Sequence, residues 1–166
     1  MASPDAHLTK AKHNIKTIVL LSQDLAEKDW IVTVAFYAAL HIVDAVLFYT
    51  QKGFQRHGQS HDKREAIIKN DHRLEKIWDC YRPLQNHSII ARYLQGPKTP
   101  PNAHVDFDKV MPDEKLITFI KERLGGLINS AIKFIPDDKD HELKKAFQTE
   151  LKDFLGLKDE QSKGKR

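Results

Sequence analysis

A single cysteine, Cys80, stands among 166 residues, which excludes an internal disulfide and any cysteine-rich zinc site. One free thiol fits a reducing compartment, and a cytoplasmic location is expected. Glycine and proline are scarce, seven of each, and they gather in two or three clusters. Long regular elements should therefore lie between them. No stretch alternates apolar and polar residues as a half-buried strand does. No segment recurs at a fixed period, so a solenoid is not expected. Met1 to Asp5 shows no basic stretch leading into an apolar run, and no signal peptide is expected.

The apolar fraction of 40% and the charged fraction of 30% are ordinary for a globular protein of this length. The net charge of +4 is unevenly placed. Residues 52–98 carry ten Lys/Arg against five Asp/Glu, whereas residues 1–51 carry four against five. A basic middle segment can attract phosphate, or it can be a solvated helix face, and charge alone leaves both readings open. The last ten residues, 157–166, are basic and read as a flexible tail after one domain spanning 1–156.

Apolar residues recur at three- and four-residue steps through most of the chain. Leu8, Ala11, Ile15, Ile18, Val19 and Leu25 predict a helix over His7–Lys28. Asp29 can cap a second helix from Trp30 to about Thr50, ended by Gly53. Ser60 can cap a short helix over His61–Asn70, and Asp71 a longer one to about Leu94. Pro83 lies inside that last run and predicts a kink or break near Asp79–Pro83. Gln95–Met111 reads as a loop, and Pro112 suits the first position of a helix reaching Ile135. Gly125-Gly126 in that helix suggests a close contact or a bend. Leu143, Phe147, Leu151 and Phe154 predict a final amphipathic helix. The expected fold is all-α: an antiparallel up-and-down bundle with four long helices and one or two short ones.

The second helix carries the most informative pattern. From Trp30 to Tyr49 only Thr33, His41 and Asp44 are neither apolar nor aromatic. That length could span a bilayer. A histidine and a carboxylate in its middle would be costly there, so a buried core helix and no membrane contact are expected. At 100° per residue, Thr33, Tyr37, His41 and Asp44 share a sector about 80° wide. An unpaired buried carboxylate is expensive, so Asp44 needs a partner, a cleft or a proton. His41 can meet Asp44, and Tyr37 can meet His41, along the helix. A functional centre and a structural network that fixes helix register both satisfy this pattern.

A second pattern is Arg56-His57-Gly58-Gln59-Ser60-His61-Asp62-Lys63-Arg64. Guanidinium and imidazole groups at a loop-to-helix junction suit phosphate binding, aided by the helix N-terminus. A zinc set of His41, Asp44, His57 and His61 can be written down, but no recognised ligand spacing supports it, and neither a metal nor a cofactor is assigned.

The string Asp29-Trp30 with Phe36-Tyr37-Ala38-Ala39-Leu40-His41-Ile42-Val43-Asp44-Ala45 resembles small bacterial and archaeal HEPN-like proteins. So do His57-Gly58-Gln59-Ser60-His61-Asp62-Lys63-Arg64 and the Tyr81 and Ala91-Arg92-Tyr93 positions, and the similarity covers roughly residues 7–135. The resemblance implies a helical bundle that commonly forms homodimers. It further implies RNA or nucleotide-phosphate binding, often in toxin–antitoxin or defence systems beside a nucleotidyltransferase-type partner. Active members are metal-independent endoribonucleases with an Arg-x4–6-His motif, in which Arg steadies the phosphate and His handles protons. Arg56 and His61 match that spacing, with polar His57 after the arginine; Arg82 and His87 are the alternative pair, with Pro83 after the arginine. Tyr37, His41, Asp44, His57, Arg64, Arg92 and Tyr93 are the expected phosphate- or RNA-binding or pocket residues.

Overall fold

In the computed structural model, residues 3–23, 27–51, 61–96, 100, 103–136, 143 and 145 are described. They form an all-α helical bundle, with no strand among them. Helix α1 spans Pro4–Leu21, two turns shorter at its end than its apolar stripe predicted and three residues longer at its start. Ser3 accepts from the Ala6 amide, and Pro4 takes the first helical position, where its missing N–H costs nothing. At the other end the Ser22 hydroxyl donates to the Val19 carbonyl, satisfying one of the last free acceptors.

Helix α2 (Lys28–Thr50) is the central rod. Asp29 was expected to cap it; instead the helix begins before it and Asp29 lies inside the first turn, where Oδ1 accepts from the Trp30 amide. Ile31, Val32, Phe36, Ile42, Val43 and Leu47 are fully or almost fully buried. Each such side chain contributes about 1.5–3 kcal/mol on leaving water. By length and composition α2 could cross a membrane, with a mean hydropathy of 2.1. Yet most of its apolar length is buried among neighbouring helices, which is what a core rod requires.

Helix α3 (His61–Asn70) is short and buries only Arg64 and Ile68. Asp71 then caps a 3-10 turn, His72–Leu74, by accepting from the Arg73 amide. Helix α4 spans Glu75–Tyr93 without the break predicted at Pro83. The carbonyl that loses its partner to a proline at this position belongs to Asp79, which is exposed, so water can serve it. Leu94 ends α4 in the left-handed region, φ 54°, a conformation that costs a leucine about 1–2 kcal/mol.

The segment read as a loop to Met111 contains a short helix, α5 (Phe107–Val110), capped by Asp106 and anchored by buried Phe107 and Met111. Helix α6 (Asp113–Ile120), a π-helical turn (Lys121–Gly125) and α7 (Gly126–Ala131) follow in unbroken helical geometry. Pro112 sits one place earlier than expected, at the cap. The glycine pair does mark a close contact: a Cβ on Gly126 would lie 3.0 Å from Cys80 Sγ on α4. Of the predicted final helix, Leu143 is buried and Lys145 exposed; its remaining residues and the basic tail lie outside the described residues.

Pair contacts fix the topology. His7 at the start of α1 meets Asp44 in the second half of α2. Gln51 at the end of α2 meets Asp71 before α4. His87 on α4 packs against Phe119 of α6 with the rings tilted, and Lys28 at the start of α2 pairs with Asp113 at the start of α6. The four long rods therefore run up, down, up and down, with α3 laid beside α2 and α4.

Candidate functional site

Asp44 is 6% exposed, so its carboxylate must be matched inside the protein. Arg64 on α3 matches it with two parallel bonds: Nε donates to Oδ1 at 2.5 Å and Nη2 to Oδ2 at 3.1 Å. Arg64 is itself 7% exposed. Burial pulls its guanidinium down, but the Asp44 bonds hold it above the usual arginine value. The pair is thus a charged clamp between α2 and α3.

His7 on α1 completes the cluster. Its Nδ1 lies 3.8 Å from Asp44 Oδ2 and 3.1 Å from His41 Nδ1. At that separation one ring nitrogen donates to the other. Burial first, and then the neighbouring His7, push His41 below the ordinary histidine range, so its imidazole is neutral at pH 7. Beneath the cluster the Tyr81 hydroxyl is buried and makes no hydrogen bond of ordinary geometry among the described residues. Burial drives that hydroxyl far above its usual value, against the pull of Arg64.

Tyr37, one turn before His41, turns to a different neighbour. Its hydroxyl accepts from Arg92 Nη1 at 3.2 Å. The Arg92 guanidinium lies 6.0 Å from the Phe36 ring centroid, 5.7 Å from Tyr37 and 5.0 Å from Tyr93. These distances suit cation–π attraction. Phe36 is buried and forms the floor, while Tyr93 is 61% exposed. His61, at the start of α3, stacks over the same Phe36 with rings 29° apart and centroids at 6.2 Å. Arg92, Tyr37 and Tyr93 therefore form one cationic and aromatic group beside Phe36, and His61 stacks on that same ring.

The two Arg/His pairs fare differently. Arg56 and His57 lie outside the described residues. Arg82 and His87 are not brought together. Five residues along a helix is about 140° of rotation, so they face apart. Arg82 donates to Glu65 and Gln85 and lies over Trp78, whereas His87 bonds the Pro83 carbonyl and packs on Phe119.

The expected interaction of Tyr37 with His41 gives way to contacts with other helices. His7 was not foreseen. The signal was present: His7 falls on the apolar stripe of α1, one turn before Ala11, where a polar group must face α2. Two surface clefts lie elsewhere. One is lined by Lys28, Asp29, Leu94, His104 and Phe107, the other by Gln51, Ile67 and Asp71–Arg73.

No family model matches the chain, and neither a curated protein nor a solved structure matches it.

Proposed function

We propose that this protein binds RNA or a nucleotide phosphate on the surface formed by Arg92, Tyr37, Tyr93 and His61. The observation that carries this reading is the Arg92 guanidinium set among three aromatic rings, with Tyr93 largely open to solvent. Single-stranded nucleic acid is held by such a pairing, in which bases stack on aromatic faces and a cation meets the backbone. The surplus of basic residues in segment 52–98, which supplies His61 and Arg92, favours the same ligand. The HEPN-like resemblance agrees, and it adds a homodimer, a nucleotidyltransferase-type partner and a toxin–antitoxin or defence role to the proposal.

Cleavage of the bound RNA would fall to Arg56 and His61, since Arg82 and His87 diverge. His61 would move the proton of the attacking 2′-hydroxyl while the arginine steadies the phosphate. The test is an RNA cleavage assay with a chelator present, on wild type, His61→Ala and His87→Ala. Loss of cleavage in His61→Ala alone supports an endoribonuclease. Equal or absent cleavage in all three sinks the enzyme claim and leaves binding.

A second reading is favoured by the depth of Asp44 and its two-point pairing with Arg64. In it, His41 and Asp44 are a structural network of a non-catalytic module that binds a nucleotide or a protein. Asp44→Ala would then lower the melting temperature, with no effect reserved for activity.

A further inference from the structure

We propose that His7, His41 and Asp44 form a binding site for one divalent transition-metal cation of the zinc class. The three are the group of His, Cys, Asp and Glu side chains among the described residues that brings ligand atoms together, all within 4.8 Å of one another. Two come from α2, three residues apart, and the third from α1. The proposal does not depend on RNA binding.

The geometry is close to what such an ion needs. In a tetrahedral zinc site with Zn–N bonds of about 2.0–2.1 Å, two ring nitrogens sit about 3.3 Å apart. His7 Nδ1 and His41 Nδ1 are 3.1 Å apart and face each other from different helices. Asp44 Oδ2 lies 3.8 Å from His7 Nδ1, so a small rotation of the His7 side chain brings the two into one sphere while Asp44 keeps its place. Two imidazoles and one carboxylate leave a fourth position for water, and neither His7 nor His41 is fully buried.

Arg64 acts on this site in two ways. Its bonds to both Asp44 oxygens fix the carboxylate plane, as outer hydrogen bonds do in metal centres. Its positive charge also repels the ion, so affinity is lower than three ligands alone would give. A bound ion replaces the lone ring-to-ring hydrogen bond with bonds to both rings and ties α1 to α2.

The test uses the full chain, stripped by a chelator and dialysed. Zinc is titrated by calorimetry, and cobalt(II) is added as a spectroscopic probe. The expected result is one ion per chain and the visible absorption of four-coordinate cobalt. Affinity should fall roughly tenfold or more in His7→Ala and be unchanged in His13→Ala, which alters an exposed histidine on the same helix. If His7→Ala fails to fold by circular dichroism, the wild type decides: zinc should shift the imidazole nitrogen resonances of His7 and His41 and no other histidine. No binding, unchanged affinity in folded His7→Ala, or shifts confined to other histidines overturns the proposal.

Discussion

Asp44 on α2 and Arg64 on α3 hold each other through two bonds, 2.5 and 3.1 Å, with less than a tenth of either residue exposed. A surface ion pair is worth little, because water screens it. A buried pair is different: removing one partner leaves the other charged and unmatched. Asp44→Ala is expected to cost about 3–5 kcal/mol. For a chain of this length that lowers the melting temperature by about 2–4 °C per kcal/mol. Replacing both, Asp44→Leu with Arg64→Met, should recover much of the loss. Thermal unfolding of wild type and the two variants checks this. An Asp44→Ala protein that melts with wild type would mean the carboxylate is not matched as described.

Asp71 supplies the pH dependence. Its hydrogen bonds from Arg73, foremost the guanidinium, hold its carboxyl at about 2, below the ordinary 3.8. A carboxyl with a depressed folded value stabilises the fold fully above its unfolded value, and that stability fades as the pH falls toward the folded one. Asp71→Asn keeps a capping oxygen but loses the charge. Its melting temperature should lie below wild type at pH 7. The gap should close between pH 3.8 and about 2. Melting curves across that window show whether it does.

Gly126 and Cys80 meet at a close approach between α7 and α4. Alanine in place of a helical glycine should gain about 1 kcal/mol. Here the added Cβ would stand 3.0 Å from the sulfur, so Gly126→Ala alone should bring no gain. Combined with Cys80→Ala, the gain should appear. A double-mutant cycle measures the coupling; independence of the two changes would refute the contact.

The Arg92 surface makes a binding prediction. Tyr93→Ala should weaken single-stranded RNA binding by about 1–3 kcal/mol, the range of one stacked base. Arg92→Lys should not restore what Arg92→Ala loses, because an ammonium cannot spread over three rings as a guanidinium does. Fluorescence anisotropy at two salt concentrations checks both. Affinity that ignores Arg92, Tyr93 and salt would remove this surface from consideration.

Much was legible in the sequence because helices announce themselves by spacing. The stripes of α1, α2, α4 and α6–α7, the cap at Asp71 and the close contact at the glycine pair all follow from local order, whereas Pro112 came one place from where it was expected. Boundaries were harder. The helix-breaking effect of Pro83 was offset by the exposure of Asp79, and exposure is not written in a local pattern.

By itself, the sequence determined that this chain would form a helical bundle around an apolar rod, and that Asp44 within that rod would need a match. Periodicity and the cost of a buried charge suffice for both. Only the tertiary structure decided which match. Arg64 was chosen over other cations, His41 turned to His7 rather than to Tyr37, and Tyr37 went to Arg92. Those choices depend on how helices far apart in sequence are rotated against one another. That rotation is set by the packing of the whole core, and no single helix encodes it.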